Sequence, residues 1–254
     1  MPTLRNIELH VSYIPSKGIE DLLVGKSNEE QNKITTEDYN NNFKQRNSKF
    51  RLQTRNITAF YERCLKGYKN DKCCKINIEC APNSVIKSSV VLGIYTVHIP
   101  YDIDNFFKLN DFDKKRKTLD LINIAIEHIV EKEQWDKIRF DEAYNQIISE
   151  NYINTWIWKK QKHSPNRKYI AKVFCKHDIY YCDIGIIIVD KSGQIIKKEV
   201  VVTEIPTEWV FIKYFGDLKW ISNNELEFIG KDGNSRFAIK IEYKFMIIPY
   251  YSNE

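Results

Sequence analysis
Six cysteines and five histidines are the side chains best equipped for chemistry in this chain. Thiolate and imidazole are the ligands zinc prefers, and together they make a nucleophile and its base. Their spacing supports neither use. Cys64, Cys73, Cys74, Cys80, Cys175 and Cys182 contain no C-x-x-C step, and Cys175-x-His177 followed by Cys182 fits neither a knuckle nor a ribbon. Neighbours on a strand face opposite ways, so Cys73 and Cys74 cannot both point inward. Buried or idle thiols packing as small hydrophobes are expected, with no metal site. His10, His98, His128, His163 and His177 are scattered without a catalytic signature around any of them. His98 sits in an apolar run and reads as a sheet-face or core histidine. His128, flanked by Glu127 and Glu131, reads as an exposed ion pair.

A divalent-metal nuclease brings an Asp together with a Glu-x-Lys at strand ends, holding the cation and orienting water. Glu242-Tyr243-Lys244, with Asp217 or Asp232 upstream, supplies those types, but charges alternating on the solvent face of a strand give the same pattern. Asp111, Asp113 and Lys115 open like a calcium loop yet lack its Gly and closing Glu. No Gly-rich phosphate loop is present. The sequence therefore assigns no catalytic residue and no cofactor.

The strongest binding signal runs from residue 152 to residue 168. Tyr152, Trp156 and Trp158 precede Lys159, Lys160, Lys162, Arg167 and Lys168. Tyr, Trp and Arg dominate binding hot spots, and bases interleaved with aromatics also stack and steer single-stranded nucleic acid. These eight are the candidate partner-binding residues. Against that stands a packing role, in which the two tryptophans wedge a helical hairpin against the following strands.

The elements that must position them follow from periodicity. IELHVSYI at 7–14 alternates as a half-buried strand. Residues 27–56 are polar with a few anchors, Ile34, Tyr39, Phe43 and Phe50, and read as a surface excursion, a weak helix or a partly disordered insertion. A short helix is expected over 57–68, then the strand KINIECA, and VVLGIYTVHIPYDI as one central strand. Apolar residues at steps of three, four and seven predict a helix over 111–133, capped by Asp104 or Asp111, and a second over 138–152, forming an antiparallel hairpin. After Pro165 the segments YIAKVFC, CDIGIIIVD, IIKKEVVVTEI, WVFIKYF, LKWIS, ELEFIG and RFAIKIEYKFMII alternate with turn signals, as a β-meander or small sandwich. Their rhythm is too short for a closed propeller. The expectation is an α+β fold: N-terminal strands, a central helical hairpin and a C-terminal antiparallel meander. It is one domain over 1–254, with a subdivision at 165/166 as the variant.

Composition sets the outer bounds. At 254 residues and 43% hydrophobic, the chain can bury a sizeable core and is not a disordered one. Lys and Arg total 39 against 34 Asp and Glu, a net +5, and the charges are interspersed rather than gathered into arms. Basic balance alone is then weak support for nucleic acid. No charged-then-apolar leader begins the sequence, and its longest uncharged apolar piece, 184–189, is too short for a bilayer. A bacterial cytoplasmic protein with reduced thiols and no membrane partner is expected.

The layout of residues 85 to 242, with LDLINIAIEHIVEKEQWD, then NTWIWKKQKHSPNRKYIAKVF, then GDLKWISNNELEFIGKDG, resembles the immunity proteins encoded beside bacterial polymorphic toxins. The resemblance implies a non-enzymatic protein that binds a toxin or effector domain and blocks it, with a sheet face or the 152–168 patch. Immunity proteins against basic nucleases are acidic by charge complementarity, so +5 points to an acidic or neutral partner. The alternative is a phage-defence or counter-defence protein acting on nucleic acid, as a binder or as a divalent-metal nuclease using Asp217, Glu242 and Lys244.

Overall fold
The computed structural model of the chain describes residues 1–83 and 85–241. Helices and strands are both abundant, and the protein is α+β. The chain divides into two compact units, one of Met1–Asn154 with His177–Tyr181, the other of Thr155–Lys176 and the chain from Cys182 onward.

In the first unit, β1 (Asn6–Val11), β2 (Lys75–Ala81) and β4 (Ile94–Pro100) pair in parallel. β3 (Lys87–Val91) lies antiparallel on β4, giving the order β1-β2-β4-β3. The strands alternate cleanly, because successive side chains leave a strand on opposite faces. Ile7, Leu9, Ile76, Ile78, Tyr95 and Val97 are buried, while Glu8, His10, Asn77, Glu79, Thr96 and His98 form a half-exposed polar face. VVLGIYTVHIP, expected as one strand, is a hairpin. Leu92 and Gly93 have φ of 50° and 75°, the paired positive values of a two-residue turn whose twist matches its strands, and Val91 faces Ile94 across it.

Parallel strands need a long crossover, and here it carries α1 (Ile19–Leu23), α2 (Asn28–Asp38), a π-helical segment Tyr39–Lys44 and α3 (Gln45–Leu65). The polar stretch 27–56 is therefore helical almost throughout. Ser27 and Glu30 start it with a capping box: each side chain accepts the other's backbone N–H, at 2.9 Å for the Glu30 carboxylate and 3.3 Å for the Ser27 hydroxyl. α3 begins twelve residues earlier than its apolar spacing implied, at Gln45 rather than 57. Its buried stripe mixes Phe50, Ile57, Phe60, Tyr61 and Leu65 with Gln53, Thr54, Asn56 and Thr58. It packs against β1 and against two later helices, α5 (Asp111–Glu133) and α6 (Ile138–Ser149).

α5 has the bounds its spacing predicts and buries Leu119, Leu121, Ile122, Ile126 and Ile129 against the sheet. Its cap is Asn110, whose Oδ1 accepts the Asp113 N–H at 2.9 Å, rather than Asp104 or Asp111. Asp104 belongs to the short α4 (Ile103–Phe107), capped by Asp102. Asp111 and Asp113 occupy the first turn of α5, where carboxylates complement the helix dipole. Phe112 is not on the buried stripe; it is exposed, its ring 5.3 Å from Tyr152. α6 ends at Ser149, short of residue 152, because Asn151 and Tyr152 take positive φ.

In the second unit, β5 (Asn154–His163), β6 (Tyr169–His177), β7 (Cys182–Asp190) and β8 (Ile195–Glu204) form one sheet in chain order. β9 (Asp217–Trp220), β10 (Glu225–Ile229) and β11 (Arg236–Lys240) form a second, antiparallel one. Val173, Ile184, Ile186 and Ile188 of the first share a core with Leu218, Phe228 and Ile239 of the second, so the meander is a small sandwich. WVFIKYF, expected as a strand, is instead a helical turn, α7 (Glu208–Phe211), continued by a 3-10 turn through Tyr214. Phe211, Tyr214 and Phe215 recur at helical steps of three and four, and all three enter that core.

Candidate functional site
β5 sorts the expected binding residues by strand period. Trp156, Trp158 and Lys160 share one side, and Ile157, Lys159 and Gln161 the other. The two tryptophans are half-buried on the core of the second unit, Trp156 with its ring 6.4 Å from Phe211 and Trp158 with its ring 5.5 Å from Phe215. Lys160 donates to the Gly216 carbonyl at 2.9 Å and pairs with Asp217 at 3.0 Å, its ammonium 5.6 Å from the Trp158 ring. Lys159, Lys162, Arg167 and Lys168 are exposed. Arg167 and Lys168 lie in the β5–β6 turn, where Arg167 has φ of 55°. Tyr152 belongs to the first unit and is nearly buried against Phe112. The aromatics of the set thus face inward and most of its cations outward.

A second surface was not legible as such in the sequence. Among the described residues β8 is an edge strand, and its Ile195, Ile196 and Val200 are exposed. The chain leaves it through Ile205 to Trp209 on α7 and then Ile212. Trp209 is 91% exposed, with Ile205 at 50% and Ile212 at 48%. α7 is not frayed: Phe211 and Tyr214 anchor it in the core, and the Tyr214 hydroxyl donates to Glu204 at 2.6 Å. Trp209 thus stands almost wholly in water on an anchored turn that follows β8 in the chain. On β8 and after it, Lys197 pairs with Glu199 at 2.9 Å and Lys213 with Glu204 at 3.4 Å, while Lys198 lies over the Phe174 ring.

The titratable groups are arranged for structure. On the polar sheet face, Glu8 Oε2 meets His10 Nε2 at 3.1 Å, Arg51 at 3.0 Å and Lys75 at 2.9 Å. The His10 hydrogen bond, then the Lys75 and Arg51 cations, hold the Glu8 carboxyl well below the usual range despite partial burial. The neighbouring Glu79 lies 3.5 Å from His98 Nδ1. His128 makes no exposed pair with Glu127 or Glu131; its Nε2 meets Ser88 Oγ at 3.0 Å. Cys73 is buried and Cys74 exposed, both just ahead of β2 rather than on a strand. Burial pushes the thiols of Cys73, Cys80 and Cys182 up to about 12, so they stay protonated and unreactive at neutral pH. Among the described residues no three His, Cys, Asp or Glu side chains group so as to hold a metal ion.

Of the nuclease residues, Asp217 is paired with Lys160, and Asp232 closes its own turn by accepting the Asn234 and Ser235 N–H groups at 3.0 Å. Glu242 and Lys244 lie outside the described residues. No described helix is long and apolar enough to cross a membrane. Compared with protein-family models, with curated proteins and with solved structures, the chain finds no match.

Proposed function
We propose that this is a binding protein with no chemistry of its own, whose partner is a protein domain that docks along β8 and over Trp209. The observation that carries this reading is the 91% exposure of Trp209 on a turn locked by Phe211 and Tyr214. Burying such a side chain removes on the order of 150–250 Å² of aromatic surface from water, the kind of contact that dominates interface energetics. Lys197 and Lys213 are each paired with a carboxylate, which argues against recognition of a phosphate backbone here. An edge strand further offers backbone N–H and C=O groups for strand addition. The net charge of +5 favours an acidic or neutral partner. Together with the immunity-protein layout of residues 85–242, the reading becomes inhibition by covering a toxin domain.

The test is to search the neighbouring genes for a toxin domain and co-express it with this protein. Wild type should restore growth and co-purify with the toxin in a fixed ratio, Trp209→Ala should do neither, and purified protein should leave DNA and RNA intact with Mg²⁺ or Mn²⁺. Metal-dependent cleavage by the wild type, or full protection by Trp209→Ala, would overturn it.

A further inference from the structure
Beyond the carboxyl ends of the parallel strands β1, β2 and β4 lies a cavity of about 220 Å³ in the first unit. In open sheets of parallel strands this crevice is where ligands bind. Ser12 continues from β1, Asp102 and Asp104 follow β4, and Phe43 and Arg46 close the helical side.

Three features define what would fit. The helical wall is the π-helical segment Tyr39–Lys44, a rare geometry frequent at functional sites. Asp38 holds it in place, accepting from the Tyr13 hydroxyl at 2.5 Å, from the Ser16 N–H at 3.2 Å and from the Asn42 amide. The charge is negative on balance. Asp102 and Asp104 line the cavity, and Glu79 is one hydrogen bond away through Ser12 at 3.3 Å. Arg46 is the lining cation, and it is already bound to Asp104. Lys117 approaches the Tyr101 ring at 5.8 Å but pairs with Asp120 at 3.5 Å. The remaining lining is apolar or aromatic: Val11, Ile14 and Ile103 suit an alkyl chain, and the Phe43 and Tyr101 rings attract cations.

We propose that this cavity binds a small aliphatic amine as its ammonium ion. Asp102 receives the –NH₃⁺ group, since Asp104 is held by Arg46, and Val11, Ile14 and Ile103 cover the chain. Asp102 Oδ1 accepts the Asp104 N–H at 2.9 Å, which leaves further lone pairs on the Asp102 carboxylate for an ammonium with three donors. The volume lies below the range of roughly 300–1,000 Å³ typical of drug-sized ligands, so a short unbranched chain fits and a polycyclic one does not.

Calorimetric titration of the whole protein near neutral pH tests this with n-pentylamine, 1-pentanol and pentanoate. Saturable binding is expected for the amine alone, weakened about tenfold or more in Asp102→Asn. It should vanish in Ile14→Trp, which fills the cavity mouth from an exposed position. Absence of saturable heat with the amine at millimolar concentration, equal binding of pentanol, or unchanged binding in both variants would overturn the assignment. If Asp102→Asn fails to fold, the Ile14→Trp result decides alone.

Discussion

Phe211 and Trp209 lie two residues apart on one helical turn and point opposite ways: Phe211 is 2% exposed, its ring 6.4 Å from Trp156, and Trp209 is 91% exposed. Their truncations should therefore separate. Phe211→Ala should cost about 3–5 kcal/mol, the range for emptying an aromatic core site. Trp209→Ala should stay within about 0.5 kcal/mol of wild type, as surface changes do. Urea unfolding of both variants checks this, and equal losses would contradict the assignment of inner and outer roles.

Glu8 gathers His10, Arg51 and Lys75 on one carboxylate oxygen, and its pKa is depressed in the folded state. A depressed carboxyl pKa stabilises the fold above the unfolded value of about 4.3, and that contribution is lost as pH falls below it. Glu8→Gln should cost about 1–3 kcal/mol near neutral pH, as for hydrogen bonds to charged groups. The gap from wild type should narrow in acid. Urea midpoints at neutral pH and well below the carboxyl range test this, and a gap independent of pH would refute it.

Gly185 interrupts the apolar run of β7 because nothing larger fits. A Cβ there would lie 2.3 Å from the Glu199 carbonyl oxygen and 2.3 Å from the Phe174 ring, where β7 and β8 shift register between Ile184 and Gly185. Gly185→Ala should lose at least about 1–3 kcal/mol by overpacking, against the usual gain from removing a strand glycine. A thermal melt at or above the wild-type midpoint would show that the two strands are not this close.

Of the six thiols, Cys74 is the exposed one, Cys64 is half-exposed and the rest are buried. Ellman's reagent on native protein should therefore titrate one fast thiol, abolished in Cys74→Ser, and a slower Cys64. Rapid modification of four or more would mean that the two cores are open.

How much of this was legible in the sequence depended on whether apolar spacing told the whole story. The α+β class was readable, and so were the bounds of α5 and β7, because apolar residues mark most of their buried positions. α3 was not, since its buried stripe includes Gln53, Thr54, Asn56 and Thr58, which hydropathy assigns to water. At Thr54 the hydroxyl bonds the Phe50 carbonyl at 2.9 Å, whereas Gln53 Oε1 and the Asn56 amide are buried without a partner among the described residues. Ser27-x-x-Glu30 was the missed signal that a helix starts there. Leu92-Gly93 hid a hairpin because an apolar residue occupied a positive-φ turn position. In the candidate site the residue types of 152–168 were readable, but strand period turned Trp156 and Trp158 inward. Trp209 was overlooked because aromatics at 209, 211 and 215 mimic a strand, and only the helical steps 211, 214 and 215 show which of them the core takes.

The central claim, that Trp209 is covered by a protein partner, is tested most directly by placing a benzoylphenylalanine photocrosslinker at position 209 in cells of the native host. A control places it at Leu22, which is exposed on the first unit. Irradiation should yield one discrete crosslinked protein from position 209 and none from position 22. No product at 209, or the same diffuse products from both positions, would contradict the account.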